Sequence, residues 1–116
     1  MVAKTTTESE VDAKVERDSD LEKVNLEQLK EYFSRKSGHE ITVRWNSDSS
    51  SQRFYFVKNN ENEYILDVKR EVLQDSAGDK IIARLKAAKW EQALESHPRQ
   101  VVCFTENGFT FHSWPR

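Results

Sequence analysis

The chain has 116 residues, of which 36% are hydrophobic and 33% charged, with a formal net charge of −2. That length suits one domain and is too short for a two-domain enzyme. The apolar share is low for a globular chain, and no run approaches the roughly 20 apolar residues needed to cross a bilayer. The near-zero charge gives no general attraction for nucleic acid or an anionic membrane.

The opening segment MVAKTTTESEVDAK lacks the apolar stretch of about 7–15 residues found in a secretory signal, so a cytoplasmic, membrane-free setting is expected. The single cysteine, Cys103, excludes a disulfide framework within the chain and any Cys-clustered zinc or iron–sulfur site. Glycines 38, 78 and 108 stand too far apart for a phosphate-cradling GxGxxG or Walker-A loop. No cofactor and no metal is expected.

Residues 1–19 are mostly Thr, Ser, Glu, Asp and Lys with scattered Val and Ala, too polar to repay their ordering entropy. They are expected to form a disordered acidic and polar tail before a single α+β domain over 20–116. A helix is predicted over about 25–37, with Asn25 as N-cap and Gln28 completing a capping box. Val24 and Leu29 would form a hydrophobic staple, and Leu26, Leu29 and Phe33 an apolar stripe. Arg35 and Lys36 suit its negative end and Gly38 its termination.

Three strands follow in a meander. ITVRWN alternates Ile41, Val43 and Trp45 against Thr42 and Arg44; RFYFVK places Phe54 and Phe56 on one face and Tyr55 on the other; the third spans about 63–69. Short polar connections imply antiparallel pairing. DSAGDK then breaks the pattern, with Asp79 as a cap for a helix over about 80–96. Its apolar residues line two sides, Ile81, Leu85 and Ala88 on one and Ala87, Trp90 and Leu94 on the other. A strand over 80–85 is the alternative reading. Pro98 closes the segment.

The last stretch, VVCFTENGFTFHSW, reads as a hairpin about Asn107-Gly108. A two-residue turn would place Thr105 opposite Thr110, Phe104 opposite Phe111 and Cys103 opposite His112. The resulting fold class is α+β in α-β-β-β-α-β-β order, a mostly antiparallel five-stranded sheet with two helices packed on one face. In element order alone this resembles small helix-plus-sheet chaperone or adaptor domains, without their closing helix.

Cys103 and His112 are the one pair with the chemistry of nucleophile and base, but no oxyanion element or orienting group accompanies them. His39, His97 and His112 lie in separate segments with no zinc-binding spacing. Arg44, Trp45, Arg53, Tyr55 and Lys58, interleaved with Phe54 and Phe56, combine aromatic rings with cations, as single-strand nucleic-acid binders do. From Gly38 onward, however, 11 basic residues balance 11 acidic ones. Lys80, Arg84, Lys86 and Lys89 form a cationic helix patch, and Trp90 and Trp114 are of the type enriched at interfaces. The expected interaction surface is therefore Trp45, Arg44, Arg53, Tyr55, Lys58, Trp90 and Trp114. The expected role is a non-enzymatic adaptor or accessory domain that binds a protein partner. Single-stranded nucleic-acid binding is the alternative, and a Cys–His hydrolase or transferase is the third reading.

Overall fold

The computed structural model describes the backbone of residues 2–114 and the side chains of 19–114. Helix α1 (Val2–Ser37) leads into β1 (Glu40–Asn46), β2 (Ser51–Lys58) and β3 (Glu61–Lys69). Three short helices follow, α2 (Arg70–Asp75), α3 (Gly78–Ala87) and α4 (Trp90–Ser96), and then β4 (Gln100–Thr105) and β5 (Gly108–Ser113). The five strands lie side by side in chain order. All neighbours are antiparallel except β3 and β4, which the helical crossover makes parallel. This is the α+β, mostly antiparallel sheet expected from the sequence, with four helices where two were predicted.

The first helix ends as predicted, at a left-handed Gly38 (φ +73°) whose N–H bonds to the Ser34 carbonyl at 2.9 Å. Its beginning is different. The backbone is helical from Val2, and the side chains of residues 1–18, which make up most of the predicted tail, lie outside the described residues. Asn25 is therefore inside the helix and caps nothing of its own. Its side-chain amide is fully buried and donates to the carbonyls of Leu73 and Ser76, both at 2.7 Å. Those carbonyls belong to the end of α2, where no intrahelical donor remains. Gln28 and Asn25 also sit so close to Gly78 that a methyl group there would overlap the Gln28 side chain. The expected capping pair instead docks α1 onto the α2–α3 corner. Val24 is 56% exposed and forms no staple.

Because Asn25 satisfies two carbonyls from one buried side chain, Asn25→Ala is expected to cost about 2 kcal/mol. Urea unfolding with an unchanged m-value would record it. A loss under about 0.5 kcal/mol, the scale of an ordinary surface change, would show that water replaces the amide.

The single helix predicted over 80–96 is broken in two at Lys89, which adopts a left-handed conformation (φ +58°). The break explains the two apolar sides read from the sequence. Ile81 and Leu85 belong to α3 and Trp90 and Leu94 to α4, and each pair is buried in the same core. The alternative strand over 80–85 is overturned. Asp79 lies in the first turn of α3, while Ala77 holds the cap position without a side-chain bond. Helix α2, which buries Val72 and Leu73, lies between the predicted third strand and the DSAGDK break and was not predicted.

The core is aromatic at its centre. Phe33, fully buried, lies 5.2 Å from Phe54, 5.4 Å from Phe56 and 4.9 Å from Trp90 between ring centroids. The Trp90 indole N–H donates to the Tyr32 hydroxyl at 3.0 Å, so its polar edge is satisfied inside the core. The strand residues that join this cluster, among them Ile41, Phe54, Phe56, Leu66, Val68, Val102 and Phe104, alternate along their strands and share one face. The helices therefore cover one side of the sheet.

Candidate interaction surface

The other side carries the alternate residues, and the strand registers arrange them in rows. One row runs Thr42, Tyr55, Ile65, Val101, His112 from β1 to β5; the next runs Arg44, Arg53, Asp67, Cys103, Thr110. Two of the predicted surface cations, Arg44 and Arg53, are thus directly opposed, which alone would be repulsive. Asp67 resolves the conflict for one of them. Its buried carboxylate takes Arg53 Nε at 2.7 Å and Nη2 at 3.0 Å in a two-point pair, and accepts from Ser49 Oγ at 3.3 Å. That pairing, chiefly its hydrogen bonds, holds the Arg53 guanidinium above its ordinary pKa. Arg44 is exposed and, among the described residues, has no ion-pair partner.

Asp67 was not singled out from the sequence, although an acid between Leu66 and Val68 in an apolar strand is a visible signal. An open groove of about 460 Å³ adjoins the pair, lined by Ser49, Arg53, Asp67, Lys69 and His112 among others. Lys69 Nζ donates to the Ser49 carbonyl at its rim.

The predicted surface residues separate into several places. Arg44, Arg53 and Tyr55 share the uncovered face, with Tyr55 half-buried opposite Thr42. Trp45 falls on the helix side at the corner of the sheet, 42% exposed, with the Arg70 guanidinium 3.9 Å above its ring. Arg70 is held in turn by Glu22 of α1 at 2.8 Å. Lys58 is exposed at the end of β2, beside a two-residue turn in which Asn59 and Asn60 both have positive φ. Trp90 is 2% exposed and belongs to the core. Trp114 is half-buried past the end of β5, in a groove of about 720 Å³ with Pro98 and Arg99. In the helical cationic patch, Arg84 hydrogen-bonds the Glu106 carbonyl at 3.1 Å and Lys86 lies over the Tyr32 ring.

The hairpin register differs from the predicted one by two residues. Thr105 pairs with Gly108, Phe104 with Phe109 and Cys103 with Thr110, so the turn is Glu106-Asn107. Thr105 is the cause: its hydroxyl accepts from the Asn107 N–H at 3.1 Å and donates to the Gly108 carbonyl at 2.9 Å, closing the chain early. A shift of two keeps every side chain on its face, but it separates Cys103 from His112, which now stands opposite Val101. Cys103 is 1% exposed, and burial, then the Asp67 charge, push its thiol pKa up. A thiol held protonated in this way is a poor nucleophile. His112 Nε2 lies 3.1 Å from Thr110 Oγ1 on the exposed edge.

The edge itself is chemically plain. β5 contains no Asp, Glu, Lys or Arg, and its Phe111 is 41% exposed, stacked 3.9 Å from the His97 ring. Among the described residues there is no group of three or more His, Cys, Asp or Glu side chains placed to hold a metal, and no helix long and apolar enough to cross a membrane. Compared with protein-family models, with curated proteins and with solved structures, the chain has no significant match in any of the three.

Proposed function

We propose that the protein is a small non-enzymatic interaction module that binds a protein partner on the face of the sheet opposite the helices and along the adjoining β5 edge. One observation carries the reading: among the described residues no helix packs on that face, which is open at its β1–β2 and β5 sides while Ile65, Asp67, Val101 and Cys103 at its centre are buried, and an uncharged strand borders it. An edge strand without charges or proline is a ready template for an added strand, and isolated proteins usually guard such edges. Arg44 supplies an unpaired charge for register, and Tyr55 and Thr42 supply contact area beside it.

Single-stranded nucleic acid would use the same Arg44 and Tyr55 together with Lys58. That reading is weaker, because the Arg53 guanidinium is already neutralised by Asp67 and Trp45 stands around the corner with Arg70 on its ring.

Capture from an extract of the producing cells, with and without nuclease, separates the two. The wild-type protein is expected to retain a protein partner after nuclease treatment. The Arg44→Glu/Tyr55→Ser double variant is expected to lose it roughly tenfold, equivalent to about 1.4 kcal/mol. Equal capture by a folded variant contradicts the surface assignment. Loss of the partner with nuclease transfers the surface to nucleic acid, whose binding would then fall steeply with salt.

A further inference from the structure

We propose that a cleft at the opposite side of the sheet, between His39, β3 and α4, binds a primary alkylammonium group. The site does not depend on the uncovered face. His39 follows the glycine that ends α1 and is 8% exposed, its ring meeting those of Phe56 and Tyr64 edge-on at 5.8 and 5.7 Å. Its Nδ1 lies 3.1 Å from the Ser37 carbonyl oxygen. A carbonyl only accepts, so Nδ1 carries the hydrogen, and Nε2 of the neutral ring is an acceptor.

That Nε2 is buried and has no hydrogen-bond partner. Glu63 Oε1 stands 3.4 Å away, out of line for a hydrogen bond. Among the described residues only Asn25 Oδ1 is likewise a buried side-chain atom without a partner. With the His39 ring neutral, Nε2 and the half-exposed Glu63 carboxylate are two acceptors face to face, and the arrangement lacks a donor. Both open onto a cleft of about 190 Å³. Phe56, Trp90 and Leu94 form its apolar wall, and Glu63, Glu91 and Glu95 stand around it against one cation, Lys36. Burial, then the charge and hydrogen bond of Glu63 and the charge of Glu95, push the Tyr64 phenol pKa up, a sign of the negative potential there.

The missing partner must donate hydrogen bonds, carry positive charge and offer a short apolar stem. An ammonium has three donors, enough for Nε2 and the carboxylates, and is attracted to aromatic faces. A quaternary ammonium has the charge but no N–H, and an alcohol has the stem but no charge. The primary alkylammonium, as in a short free amine or a lysine side chain, meets all three requirements.

Titration of the isotope-labelled protein with n-butylammonium chloride at constant ionic strength tests the proposal. Saturable shifts at the His39 ring nitrogens, Tyr64 and the Trp90 indole are expected with roughly millimolar affinity, in keeping with a five-atom ligand. Glu63→Gln, at a half-exposed position that leaves the fold intact, is expected to weaken binding about tenfold. Nα-acetyl-lysine methylamide is the second probe: if it also binds, the site takes a lysine side chain, and if it does not, the site takes small free amines. Four results would overturn the proposal. They are the absence of saturation, an equal response to n-butanol or tetramethylammonium, shifts spread over the acidic surface, or a free protein at neutral pH with hydrogens on both His39 nitrogens.

Discussion

Phe33→Ala is expected to lower the unfolding free energy by about 4 kcal/mol, the largest effect of any single substitution considered for this fold. Truncation of a buried Phe removes transfer free energy and leaves a cavity that rigid neighbours fill poorly. Here the neighbours are rings from three elements, Phe54 and Phe56 of β2 and Trp90 of α4, with Tyr32 beside it on α1. Tyr32 and Trp90 are further joined by a hydrogen bond, which restrains their collapse into the void. Phe33→Leu keeps much of the volume and is expected to cost under about 1.5 kcal/mol. Phe111→Ser, at a 41% exposed position, serves as a contrast and should cost less than either. Denaturant unfolding of the three variants measures the order. A Phe33→Ala loss below that of Phe111→Ser would show that the core is not centred on this ring.

Asp67→Ala is expected to cost about 3 kcal/mol, for a different reason. The Asp67 side chain is 2% exposed and its Arg53 partner 16%, so removing the acid strands a cation with little water to reach it. Breaking a buried pair by deleting one partner commonly costs 3–5 kcal/mol, and the remaining hydration of Arg53 places this case at the low end. Opposite Arg53 stands Arg44, so the lost carboxylate also exposes a direct repulsion. Deleting both charges as Asp67→Ala/Arg53→Met should recover most of the loss, because neither an unpaired charge nor the repulsion remains. A double-mutant cycle reads the coupling. Additive losses would mean that water, not Asp67, stabilises Arg53.

How far the sequence carried depended on whether each signal was local. The alternation in ITVRWN and RFYFVK, the turn residues between them and Gly38 after a charged helix end each act within a few residues, and the structure has strands and a helix end there. The turn chemistry of Asn-Gly is also local, yet Thr105 competed with it and moved the register by two. Asn25 shows the other limit. It was predicted as the N-cap of its own helix, but it lies inside α1 and its amide N–H groups satisfy the carbonyls of Leu73 and Ser76, far along the chain. The break at Lys89 has no local signal, since Lys is a good helix former; it follows from both apolar sides of the segment turning to one core.

The interaction surface divided for the same reason. Arg44, Trp45, Arg53, Tyr55 and Lys58 are close in sequence, but the pleat sends Trp45 to the opposite side from Arg44, Arg53 and Tyr55. The crossover that makes β3 and β4 parallel neighbours places Cys103 next to Asp67, and no spacing in the sequence announces it. The His39 acceptor was equally hidden: a histidine after a helix-ending glycine reads as a boundary residue until Tyr64 and Phe56 close over it.

Hydrogen exchange on the complex with the captured partner tests the central claim, that binding uses the uncovered face and the β5 edge. The account predicts slowed amide exchange in β1, β2 and β5 with unchanged rates in α3 and α4. Slowing confined to the helices, with the strands unaffected, would contradict it.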